Sequence, residues 1–279
     1  MCFQEFLKQT SSCYNAELES VDFRNKYEEA RIKINSWVEK QTQDKIKDLV
    51  EEGILNNITT LVLVNAIYFK GTWEQQILKS WSEKKDKKPV MMMRQDAKFP
   101  YVEIPEIDCQ ILEMPYEGKE LNMLIFLPRE ILDDSTGLER LEKLLTYEKF
   151  MEWTSPEKMD LTKVDVCLPR FQMEEKHNLK KVLTRMGMVD AFDDRKCNFS
   201  GMSGTQDLFL FEATHKSVVE MNEEGIEVAA ATEASFCYLR TTAKQYFTAD
   251  HPFLFFNCHN LNRNILFTGR FCSPCVRIS

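Results

Sequence analysis

At 279 residues, with 43% hydrophobic and 29% charged residues, the chain is long enough for one large globular domain or two small ones with a substantial core. A net charge of −8 argues against a broad phosphate-binding surface, so nucleic acid is not an expected partner. No apolar run reaches the roughly 18 residues that a helix needs to cross a bilayer, and no membrane partner is expected.

The stretch from Met1 to Phe23 is amphipathic and lacks a basic segment followed by an apolar one, so it does not read as a signal peptide. Glu28 to Val38 carries apolar residues at helical spacing with charges on the other face, which predicts a helix. Leu61 to Phe69 is a nearly continuous apolar run ended by Lys70-Gly71, the pattern of a strand buried on both faces. Inside it stands Asn65, a polar amide that is costly there unless hydrogen-bonded; it is expected to anchor a buried network. Trp73, just beyond, reads as a core aromatic.

Further strands are predicted at Cys109 to Met114, Leu121 to Leu127, Val164 to Leu168, Leu208 to Glu212, Val218 to Met221, Phe253 to Phe256 and Ile265 to Phe267. Glu117-Gly118-Lys119 joins the first two in a hairpin-like turn, and helices are expected at Gly137 to Thr146 and Leu179 to Met186. Strands and helices come in groups without regular alternation, which points to an α+β fold with large, partly antiparallel sheets.

Chemistry is sparse. Four histidines are present, His177, His215, His251 and His259, with no GxSxG elbow, no HExxH and no glycine-rich phosphate loop. His215 is placed at a strand start, and His251 as a histidine capping a buried strand. No nucleophile is nominated, so an enzyme is not expected. The nine cysteines are odd in number and irregularly spaced, which suits reduced thiols better than a disulfide scaffold. Cys258-His259 with Cys272-x-x-Cys275 is the one metal-like cluster, but only one half has the CxxC form; neither a metal nor any other cofactor is expected.

One stretch resists these categories: Glu223-Glu224-Gly225-Ile226-Glu227-Val228-Ala229-Ala230-Ala231-Thr232. Small residues this dense suit a helix, a tight packing face or a segment that must move. Its neighbours decide. Asn65-Ala66-Ile67-Tyr68-Phe69-Lys70-Gly71-Thr72-Trp73, then this stretch, then Phe247-Thr248-Ala249-Asp250-His251-Pro252-Phe253, then Ile265-Leu266-Phe267-Thr268-Gly269-Arg270-Phe271, follow the order found in serpins. The chain resembles that family from about residue 3 to Pro274, and looks most like its ovalbumin-type, intracellular branch.

The resemblance implies a serpin fold, a single domain over 1–279 with three β-sheets, surrounding helices and an exposed reactive-centre loop near the C-terminus. It implies a protease inhibitor, not an enzyme: the target cleaves the loop, the hinge from Glu223 to Thr232 inserts into the central sheet, and the protease stays trapped as its acyl-enzyme. Family spacing places the scissile bond at Leu239-Arg240; Arg240 and Tyr238 are the alternative specificity residues. A chymotrypsin-like serine protease is the implied partner, with a trypsin-like one second. The protein is expected to be monomeric and cytoplasmic, with unconventional release as its route outside the cell. Asn65, Trp73 and His215 match positions that govern opening of the central sheet. The chain departs from the pattern at Ile226, where Thr or Ser is usual, and at Val228 in place of Ala. By the family pattern, the N-terminal helices and one central-sheet strand are expected to be missing from this sequence.

Overall fold

In the computed structural model the described residues are 2–14, 18–74, 78–82, 90–129, 137–203, 207–223 and 244–272. In chain order they form α1 (Cys2–Tyr14), α2 (Phe23–Gln41), β1 (Leu61–Lys70), β2 (Leu78–Ser82), β3 (Val90–Ile104), β4 (Cys109–Pro115), β5 (Leu121–Pro128), α3 (Leu138–Leu144), α4 (Tyr147–Trp153), β6 (Asp160–Pro169), β7 (Phe171–Asn178), α5 (Leu179–Arg185), β8 (Leu210–Met221), β9 (Gln245–Thr248), β10 (Phe253–His259) and β11 (Ile265–Phe271). The mixture is α+β, as the grouping of elements implies. The chain divides into two compact units, residues 1–69 with 173–219 and residues 70–172 with 220–279.

The first unit is built on a three-stranded sheet in the order β1-β8-β7. The Asp22 side chain caps α2 by accepting from the Asn25 amide, and Ala30 and Val38 are its buried residues. After the helix, Asn35 grips the backbone of Val50 twice, at 2.9 Å each, and so fixes the following segment. Val38, Ile46, Leu49 and Val218 then pack with Val64, Ala66 and Tyr68. Only the even-numbered face of β1 is covered in this way. On the odd-numbered face Leu63 and Ile67 remain 52% and 39% exposed, so β1 is not buried on both faces as its apolar run predicts. An apolar run reports hydrophobicity; which faces are covered depends on the elements packed against it.

β8 also differs from expectation, since one strand of 12 residues replaces the two that the sequence predicts. The polar interval Thr214 to Ser217 continues the strand because its side chains find partners. Thr214 Oγ1 donates to Glu212 Oε1 at 2.9 Å, and Lys216 Nζ reaches both Lys47 O and Glu174 Oε1 at 2.7 Å. His215 therefore sits in mid-strand, not at a strand start.

The second unit holds an eight-stranded ladder running β11-β10-β5-β4-β3-β6-β9, with β2 paired to β3. The 15-residue β3 explains its extent: its first part pairs with β2 and β6, its last residues with β4. Two connected ladders thus occur among the described residues, because β3 joins into one ladder what would otherwise be two sheets. β4 and β5 form the predicted hairpin around Gly118, whose φ of 77° suits glycine.

β10 is apolar throughout because both its faces are covered. Leu254, Phe256 and Cys258 join Ile111, Leu124 and Phe126 beneath Leu138 and Leu141 of α3 and Phe150 and Trp153 of α4. On the other side Phe171 lies 6.2, 5.6 and 4.8 Å, ring centre to ring centre, from Phe253, Phe255 and Phe271. Gly269 permits this: a Cβ there would stand 2.3 Å from the Phe255 ring.

Candidate functional site

The stretch expected to act as a hinge begins where β8 ends, and the residues around that point are described as far as Glu223. Glu224 to Thr232, and the candidate specificity residues Tyr238, Leu239 and Arg240, lie outside the described residues.

In the first unit the structure brings two of the sequence-nominated residues together. Asn65 Oδ1 accepts from His215 Nδ1 at 2.8 Å, linking β1 to β8. The pair lies on the uncovered, odd-numbered face, so Asn65 is exposed and its network is not the buried one expected. His177 on β7 adds a member that the sequence did not nominate, its ring stacked 6.4 Å from that of His215 at 9°. Burial, and then the neighbouring His177, hold the His215 imidazole below its ordinary pKa.

In the second unit Trp73 acts at the end of β8. Its Nε1 donates to the Asn222 carbonyl at 2.8 Å, and both residues are buried. The indole stacks on Tyr116 with centroids 4.7 Å apart and planes at 13°. Tyr116 donates in turn to Asn257 Oδ1 at 3.1 Å, and burial pushes its phenol well above the ordinary value. The bend after β1 admits the ring because residue 71 is glycine; a Cβ there would lie 2.2 to 2.9 Å from Tyr116 ring atoms. One residue beyond Asn222, the Glu223 carboxylate stands 3.7 Å from Arg170. The indole, the ring and the ion pair together fix the chain at Asn222 and Glu223, just past the end of β8.

The chain is equally well defined at Lys244. Lys244 Nζ lies 2.8 Å from Asp96 Oδ2 and 3.0 Å from Asp165 Oδ2. Arg94 holds Asp165 with two hydrogen bonds of 2.8 and 2.6 Å. Arg94 first, and Lys244 after it, keep the Asp165 carboxyl well below the usual range against the opposing effect of burial. β9 follows in parallel register with β6, Val164 opposite Gln245 through Cys167 opposite Thr248. Gln110 Nε2 donates to the Tyr246 carbonyl at 3.3 Å and to Tyr101 Oη at 2.7 Å; the Tyr101 phenol is pushed up to about 12, chiefly by burial. Nothing nominated these residues in advance, although an aspartate between valines in Val164-Asp165-Val166 was a signal available to be used.

His251 is satisfied on both ring nitrogens, by Asp250 Oδ1 and the Pro128 carbonyl, which agrees with a strand-capping role. Cys13, Cys109, Cys167, Cys197, Cys258 and Cys272 are free thiols. Among the described residues no group of three or more metal-ligating side chains is assembled, and no helix is long and apolar enough to cross a membrane.

Known proteins place this arrangement. A family model described as serpin (serine protease inhibitor) matches residues 1–274. The leukocyte elastase inhibitor of Equus caballus is 50% identical over 277 residues, and that of Homo sapiens 50% identical over 279; each match covers 97% of this chain and 73% of the relative. The solved structure of uncleaved ovalbumin superposes with a TM-score of 0.85 at 37% identity, covering 97% of this chain and 69% of ovalbumin. The chain belongs to the serpins, a family of serine-protease inhibitors rather than enzymes.

Proposed function

We propose that the chain inhibits a serine protease as a suicide substrate. Cleavage at about Leu239-Arg240 frees the hinge, Glu223 to Thr232, to enter between β1 and β8 as a new strand while the protease is still an acyl-enzyme. One observation carries this reading: β1 and β8 are paired neighbours bridged by Asn65 and His215, and the chain leaves β8 directly into the hinge. An entering strand would gain backbone hydrogen bonds to both neighbours and bury its small side chains. Entry exchanges the β1–β8 ladder for two new ones and breaks the half-exposed Asn65–His215 hydrogen bond, itself worth only about 0.5–1.5 kcal/mol net.

Leu239 offers an apolar side chain to the primary pocket, which favours a chymotrypsin-like target; Tyr238 would do the same, and Arg240 would suit a trypsin-like one. The name of the relatives, leukocyte elastase inhibitor, supports a target with an apolar pocket. We place the protein in the cytoplasm as a monomer, a compartment that agrees with its free thiols. Incubation with chymotrypsin-like and trypsin-like proteases tests the reading. The expected result is a complex that survives SDS, with a released peptide that begins at Arg240. Cleavage with no complex would refute inhibition.

A second reading, a non-inhibitory serpin cleaved as a plain substrate or serving in binding or storage, is favoured by Ile226. The extra bulk of isoleucine, where the smaller Thr or Ser is usual, would slow entry and give the ester time to hydrolyse. Complex formation that appears only in Ile226→Thr would support it.

A further inference from the structure

Three polar side chains from adjacent strands meet on the open face of the first unit's sheet: Asn65 on β1, His215 on β8 and His177 on β7. Side chains alternate between the two faces of a strand, and the opposite face is covered by Val38, Ile46 and Leu49. Lys216 and Lys176, each next in sequence to one of the histidines, point to that other face. They are engaged there, by Glu174 at 2.7 Å and by Glu51 at 2.6 Å. The two imidazoles therefore stand apart from these positive charges.

Their nitrogens are set for a ligand. His215 Nδ1 gives its proton to Asn65 Oδ1, which leaves the free lone pair on Nε2. Metal-ligating histidines are held in this way, one ring nitrogen on an oxygen and the other on the ion. His177 is exposed, and among the described residues neither of its ring nitrogens makes a hydrogen bond. The ring centres lie 6.4 Å apart with planes at 9°. Metal–nitrogen bonds of about 2.0–2.1 Å put two imidazoles on one ion with their centres roughly 5–6 Å apart. A turn of the exposed His177 side chain about its own χ angles closes that gap.

We propose that His177 and His215 form a two-histidine site for a late first-row divalent ion, Ni2+, Cu2+ or Zn2+, with water completing its coordination. Imidazole suits these ions, whereas Mg2+ and Ca2+ prefer oxygen. With two protein ligands, fewer than catalytic or structural zinc takes, the ion is held reversibly. It clamps β7 to β8. It also draws electron density from the His215 ring and so strengthens the hydrogen bond to Asn65, tightening the seam between β1 and β8. That a tighter seam slows strand entry rests on the function proposed above; the site itself does not.

Ni2+ titration of the full chain, followed by NMR of its four histidine rings, tests the site. The paramagnetic ion should broaden His177 and His215 together at one midpoint, ahead of His251 and His259. His177→Ala should weaken binding at His215 at least tenfold, and Asn65→Ala by about tenfold through loss of the outer hydrogen bond. Affinity should rise from Mn2+ through Co2+ to Ni2+. Broadening of His177 alone, an unchanged midpoint for His215 in His177→Ala, or displacement of Ni2+ by an equal concentration of Mg2+ would overturn the site. Saturating Ni2+ should slow protease trapping several-fold in the parent chain and not in His177→Ala. Binding with unaltered trapping upholds the site and removes its link to strand entry. Trapping by a chain whose histidines take no ion upholds the inhibitor and overturns the site.

Discussion

The Asn65 amide oxygen and the His215 ring nitrogen meet at 2.8 Å across the seam between β1 and β8, on the face that α2 leaves uncovered. A bond in that setting holds two strands together without making their separation prohibitive. Asn65→Ala and His215→Ala should each lower stability by about 0.5–1.5 kcal/mol. In a double-mutant cycle by denaturant unfolding their effects should be coupled by at least about 0.5 kcal/mol. Fully additive effects would show that the pair does not act as a unit.

The same histidine sets a pH dependence. Because burial and His177 lower its folded pKa below the unfolded one, the folded state binds fewer protons than the unfolded state in the window between them. Its contribution is therefore fully present above about pH 6.5 and declines as pH falls through and below that value. Unfolding free energy measured from pH 8 to pH 5 should fall less steeply in His215→Gln than in the parent chain. His177→Gln should reduce the slope in part, by removing the smaller of the two causes.

Asp165 acts in the opposite charge sense but in the same direction of pH. Its depressed carboxyl pKa gives a contribution present above the ordinary carboxylate value of 3.8 and lost progressively as pH falls below it. Acid unfolding of Asp165→Asn should accordingly show a shallower limb below about pH 4 and a lower plateau at neutrality.

At the end of β8, Trp73→Phe keeps a ring against Tyr116 and removes only the donor to Asn222. It should cost about 1 kcal/mol, whereas Trp73→Ala should cost about 3–5 kcal/mol because a buried ring is lost. Gly71→Ala should also be destabilising, by about 1–3 kcal/mol, through collision with Tyr116. Tyr116→Ala in the same chain should make the added alanine nearly neutral.

Activity offers a test of the loop reading. Leu239→Ala should slow complex formation with a chymotrypsin-like protease by one to two orders of magnitude, roughly what an apolar pocket can discriminate. Leu239→Arg should transfer reactivity to a trypsin-like enzyme. No change in rate for either variant would move the scissile bond elsewhere.

Much of the core was legible beforehand. β4, β5 and β10 announce themselves as apolar runs because both faces are covered, and Gly118 marks the turn between the first two. β3 and β7 went unseen for a physical reason. β3 mixes Arg94, Gln95, Asp96 and Lys98 with Pro100, and β7 reads Phe-Gln-Met-Glu-Glu-Lys-His-Asn, since much of its surface faces water. Polar strands of this kind are defined by their partners rather than by their own pattern. Asn65 and His215 were each nominated, yet nothing local shows that residues 150 positions apart share a hydrogen bond. The Lys244 cluster was hidden for the same reason, its four charges coming from three separate segments.

The position of β10 between β5 and β11 has a consequence for what cleavage can release. A cut at Leu239-Arg240 would sever the backbone and leave the protein in two covalent pieces. The piece from Arg240 to Ser279 contains β9, β10 and β11, and β10 is threaded through the centre of the aromatic and aliphatic core. Dissociating that fragment would mean unfolding the unit, so the nicked molecule should keep its native mass and hydrodynamic size and come apart only in denaturant. Chain continuity and structural integrity are here separate properties.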